Sequence, residues 1–128
     1  MDQAVLVKTE RELGWELLED LEAAQYPLQG AFWQYLYEGE DWRLFLVTPL
    51  VDKEGTLNAY RRLREQMEQM SQDIQETLSP AYNITVLRPS DERVKQLRKK
   101  YGKVEKDRTQ FRSSSLGLNE TYIYFLQA

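Results

Sequence analysis

The chain has 128 residues, 17 Lys and Arg against 21 Asp and Glu, a formal net charge of −4, and neither cysteine nor histidine. That length suits one domain around one core, and 41% apolar with 30% charged residues is the composition of a folded soluble chain rather than a disordered one. Absent cysteine excludes disulfides, thiol nucleophiles, and Cys-held zinc or iron–sulfur clusters; absent histidine excludes a Ser-His-Asp triad, an imidazole base and His metal ligands.

Residues 3–25 read as a helix. Leu6, Leu13, Leu17, Leu21 and Ala24 fall on one helical face, and Glu12, Glu16, Glu19 and Glu22 fill much of the remainder. Thr9-Glu10-Arg11-Glu12 offers an alternative start as a capping box, which would leave Val5-Leu6-Val7 as a short strand. The stripe reaching back to Leu6 favours the long helix, and Pro27 is its expected stop.

A hairpin follows. Residues 31–37 are an aromatic-rich, β-prone strand and residues 42–48 the returning one, around the polar turn Glu38-Gly39-Glu40-Asp41. Both strands are apolar on both faces, which places them inside a sheet. Trp33, Tyr35 and Tyr37 share one face of the first strand, with Trp42 across the pair. Exposed, such a face would stack bases or sugars; three helices for one sheet favour its being covered.

After a connection from Pro49 to Gly55, Thr56 reads as the N-cap of a helix running to Leu78. Leu57, Tyr60, Leu63, Met67, Met70, Ile74 and Leu78 recur at intervals of three or four residues. Ser79-Pro80 ends it, and residues 82–87 form a third strand. A strand, a helix and a strand make a crossover, which predicts parallel pairing. Ser90 then caps a third helix, with Asp91 and Glu92 in its first turn, Val94, Leu97 and Tyr101 on its buried side, and Gly102 past its end. A short strand is expected near Thr109–Arg112, and residues 120–126 form the last strand. The expected fold class is α+β: a single domain over 1–128, order α-β-β-α-β-α-(β)-β, with a mixed sheet of 4–5 strands packed with three helices.

Charge is distributed unevenly. Between Arg88 and Arg112 ten bases stand against four acids, a net +6; the other residues hold seven bases and seventeen acids, a net −10. A basic segment on an acidic protein suits an acidic protein surface or a phosphate backbone. Binders of nucleic acid are usually basic overall, so the protein surface is preferred. Arg93, Arg98, Lys99, Lys100 and Lys103 are the candidate partner-binding residues.

The stretch Thr48–Thr56 joins a strand end to a helix start, where α/β proteins often hold ligands. Asp52 and Glu54 could ligate Mg²⁺, and Arg61 and Arg62 could hold an anion. No phosphate-binding glycine motif is present. No lysine has an acid two positions before it, which disfavours a metal nuclease, and Ser113-Ser114-Ser115 lacks an imidazole base. The long helix could also pair with a second copy through its 3–4 spacing, although packing on its own sheet is the simpler use.

The run Trp42-Arg43-Leu44, Thr48-Pro49-Leu50-Val51-Asp52, Gly55 and Ala59-Tyr60-Arg61-Arg62-Leu63, following a helix and hairpin, resembles small bacterial proteins without an assigned function over residues 10–65. The resemblance implies a bacterial cytoplasmic setting and carries over no catalytic residue. A cytoplasmic location also fits the lack of a signal sequence and of any apolar run long enough to span a bilayer. The expectation is therefore a non-enzymatic domain without cofactor or metal, binding a protein partner through 88–112, with a homodimer as one form. A small-ligand or Mg²⁺-dependent phosphate-handling protein is the alternative, and nucleic-acid binding comes third.

Overall fold

The computed structural model describes residues 8–36, 38–106, 113–115 and 120–127. The first helix, α1, spans Lys8–Ala23 and buries Leu13, Leu17, Leu18 and Leu21. Residues 3–7, and with them the choice between a longer helix and a short strand, lie outside the described residues. The helix ends before Pro27. Gln25 adopts a left-handed conformation at φ 63°, the Tyr26 N–H donates to Leu21 O and the Gln25 N–H to Glu22 O. This is a Schellman closure, which satisfies the last helical carbonyls before the proline can act.

Strands β1 (Gly30–Leu36) and β2 (Asp41–Val47) form the expected antiparallel hairpin. What reads as a plain connection after β2 contains a short helix, α2 (Leu50–Glu54). What reads as one helix to Leu78 is broken into α3 (Thr56–Met67) and α4 (Gln72–Thr77). Gly55, at φ 91°, separates α2 from α3 and takes the N-cap position assigned above to Thr56. The second break has a local cause. Ser71 is extended and its Oγ accepts the Ile74 N–H, while Gln75 Nε2 donates to Met70 O at 2.9 Å. A serine that caps offers the backbone an alternative to continuing the helix. Ala59, Leu63, Met67, Ile74 and Leu78 stay buried across the break, but Leu57, counted in the stripe, is 85% exposed.

The third strand, β3, covers Ile84–Leu87, and α5 covers Glu92–Tyr101. Asp91, not Ser90, caps α5, its carboxylate accepting the Arg93 N–H at 2.9 Å. Gly102 follows at φ 66°, as expected of a residue past a helix end. The described part of the late loop is β4 (Ser113–Ser115); the strand expected at 109–112 lies outside the described residues. The last strand, β5, is Glu120–Leu126.

The strands order as β3-β2-β1-β5-β4, with β2 and β3 parallel and the other neighbours antiparallel. The α+β architecture, the element order and the mixed sheet agree with the expectation; the helices described number five rather than three. Alternation along the strands divides the core into two faces. Ala31, Trp33, Leu44, Leu46, Ile84 and Val86 join the apolar sides of α1 to α4. Phe32, Phe45, Val47, Ile123 and Leu126 join Val94 and Leu97 of α5 on the other side. The sheet is thus a middle layer, with α1–α4 over one face and α5 over the opposite one.

Two details close this arrangement. The register of β5 on β1 shifts between the Ala31–Phe125 and Phe32–Ile123 pairs, so Tyr124 is an extra residue in a bulge. The edge strand β3 has its outward N–H groups occupied: Ile84 donates to Ser79 O and Val86 to the Tyr60 hydroxyl, both at 2.9 Å. Occupied donors make this edge a poor template for another strand.

Candidate functional site

The five candidate cations divide by what holds them. Arg93 leaves the first turn of α5 toward the sheet. Its Nη1 donates to Gln34 Oε1 at 2.7 Å, and its guanidinium lies 4.7 Å from the centroid of the Phe45 ring. Arg98 donates through Nε to Gln127 O and through Nη1 to Pro89 O, both at 3.0 Å, tying the C-terminal half of α5 to the segment before the helix and to the residue after β5. These two arginines serve the packing of α5. Lys99 and Lys100 are exposed, Lys100 standing 5.5 Å from the centroid of Tyr101, and Lys103 pairs with Glu105 at 3.2 Å.

Lys95, absent from the sequence-derived set, is exposed one turn before Lys99. The four-residue interval between them was the signal that would have included it. Lys95, Lys99 and Lys100 have no carboxylate partner among the described residues. Lys99 and Lys100, in the last turn of α5, suit the negative end of the helix dipole, whereas Lys95 lies in the first half of the helix, beyond that effect.

The alternative ligand site is differently arranged. Asp52 pairs with Arg88 at 3.2 Å and Glu54 with Arg62 at 2.8 Å, while Arg61 binds Glu65 and Asn58. Each group proposed to hold a metal or an anion already meets an opposite charge or an amide of this chain. Among the described residues no cluster of three or more acids could hold a metal ion.

The aromatic side of the hairpin is covered. Trp33 is fully buried, Tyr35 nearly so, and Trp42 is half-buried against Tyr35; Tyr37 lies outside the described residues. Trp33 Nε1 donates to the Tyr124 hydroxyl at 2.8 Å, which itself donates to Arg11 O at 2.8 Å. These rings belong to the core. A groove of about 590 Å³ lies where α1 ends beside residues 103–106 and β5. Its acids and bases pair with each other, Lys106 with Glu22 and Lys103 with Glu105, so its walls present no net charge to a ligand.

Burial raises the pKa of both buried phenols, Tyr26 and Tyr124, above the ordinary value; neighbouring Arg62 partly opposes this at Tyr26 and the Trp33 hydrogen bond at Tyr124. Unfolded tyrosines release protons near pH 10. Above that pH the folded state retains more protons than the unfolded one, so stability is full below about pH 10 and falls as pH rises further. Two such groups predict a loss of roughly 2.7 kcal/mol in all between pH 9 and pH 11, most of it above pH 10. Urea denaturation between pH 9 and 11 measures it, and Tyr124→Phe should halve the tyrosine contribution. Equal stability at both ends would contradict this.

Comparisons with family models, with curated proteins and with solved structures returned no match. Among the described residues no helix is long and apolar enough to cross a membrane.

Proposed function

We propose that this chain is a non-enzymatic binding domain of a bacterial cytoplasm, presenting the outer side of α5 to an acidic surface of a protein partner. The supporting observation is that Lys95, Lys99 and Lys100 are exposed on α5 without a carboxylate partner among the described residues, whereas the acids and arginines of the 48–62 region are paired. Lys103, beyond the end of α5, is paired with Glu105 and is not counted in this surface. Arg93 and Arg98 contribute by holding α5 in place.

The test follows from that division. A fluorescent oligoglutamate peptide serves as the probe, read by anisotropy. Reversal of Lys95, Lys99 and Lys100 to Glu should weaken binding at least about tenfold, as should raising NaCl from about 50 to about 500 mM. Binding indifferent to both changes would overturn the proposal. Arg93 and Arg98 are kept intact, because their loss would disturb the fold.

A further inference from the structure

We propose that the acidic surface received by α5 is α1 of a second copy of this chain; this rests on the binding role of α5 proposed above. The two helices are charged oppositely and equally. α1 has six acids against two bases, a net −4, and α5 has five bases against one acid, a net +4. They cover opposite faces of the sheet, since the buried leucines of α1 pack with Trp33 and Leu44 while Val94 and Leu97 of α5 pack with Phe32 and Phe45. Neither helix can neutralise the other within one molecule. A copy placed face to face can bring α5 of one onto α1 of the next.

The spacing of the charges supports the same pairing. Glu12, Glu16 and Asp20 are exposed at four-residue intervals along α1, and Lys95 and Lys99 repeat that interval on α5. Like charges four apart on a helix repel each other and weaken it. Among the described residues, Glu12 is the one member of this row in an ion pair, with Lys8 at 3.9 Å. An opposing row of the other sign relieves repulsion on both helices at once. Glu22, held by Lys106, is already used within the molecule.

The geometry fixes the kind of assembly. The donor face and the receptor face are different surfaces on opposite sides of each copy, so the contact is heterologous and leaves both outer faces open for further copies. Neither row offers an exposed apolar anchor, so the contact is weak, polar and salt-dependent.

Sedimentation equilibrium of the full chain tests this. At about 50 mM NaCl the weight-average mass should climb from the 15.2 kDa monomer past twice that value with rising concentration. At about 500 mM NaCl it should return to the monomer. Two neutralised variants sharpen the reading: K95Q/K99Q/K100Q removes one face and E12Q/E16Q/D20N the other. Each alone should remain monomeric, and their mixture should form one-to-one dimers and nothing larger, because only one productive pair of faces remains. A wild-type chain that stays monomeric at low salt, that stops at a dimer, or that associates equally in both variants overturns the proposal. If a monomeric chain still binds oligoglutamate through α5, only the self-partner is overturned; if that binding also fails, the role of α5 is overturned with it.

Discussion

Trp33→Ala is expected to lower the unfolding free energy by roughly 3–5 kcal/mol, the range for emptying a buried tryptophan site. Trp33 has no exposed surface and lies in the larger of the two core faces. Its loss removes the apolar contacts of the indole and leaves a cavity between α1 and the sheet. It also removes the donor to the Tyr124 hydroxyl, a group itself buried and held at 2.8 Å. Equilibrium urea denaturation followed by far-ultraviolet circular dichroism measures the effect. A surface aromatic that stacks a ligand would behave differently, with stability changed by less than about 0.5 kcal/mol. The experiment thus decides whether the hairpin aromatics are core or contact surface, and a small effect would contradict the fold described above.

Gly14→Ala should also destabilise, by roughly 2–3 kcal/mol, although helix propensity alone predicts a gain of about 1 kcal/mol for alanine over glycine within a helix. Gly14 sits inside α1 where the Tyr124 ring meets the helix. A Cβ at this position would lie 1.9 Å from the Tyr124 Oη and 2.7 Å from its Cζ. The ring is fixed by the bonds to Trp33 Nε1 and Arg11 O and by an edge contact with Trp15 at 4.8 Å between centroids, so it cannot swing aside without losing them. A double-mutant cycle with Tyr124→Leu isolates this clash. In that background the far end of the ring is gone and the added methyl should cost much less. Equal cost in both backgrounds would show that Tyr124 is not the obstacle.

Both cases involve side chains whose roles the linear pattern left open. Nothing in the sequence around Gly14 announces that a tyrosine more than a hundred residues later needs the space. Trp33 alternates with Gln34 and Tyr35 as any strand residue does, and alternation does not say whether a helix covers that side. The long helix expected to Leu78 failed for a related reason. Its apolar positions remain on one core even though the backbone stops and restarts, so periodicity survives a break that Ser71 capping enforces. The hairpin, the crossover to β3, α5 and β5 were legible because each combines a clear period with local stop signals.

The candidate binding residues show the same division. Helical spacing placed the cations of 88–103 on or beside one helix, but not which of them reach solvent. Arg93 and Arg98 have long apolar stems and planar heads, so they can lie along the sheet or reach backbone carbonyls as readily as water. Only the packed neighbours, Gln34 and Phe45 for one and Pro89 and Gln127 for the other, decided their direction.

By itself the sequence determined which chemistries are impossible without histidine and cysteine, the α+β order of elements, and that a net charge of −4 conceals an acidic majority and a basic segment. Tertiary structure alone decided that the basic α5 and the acidic α1 face away from each other across one sheet. Charge is a property of residue type and can be counted along a chain. Its direction depends on which face of the sheet each helix covers, and that is set by burial of apolar side chains far apart in sequence.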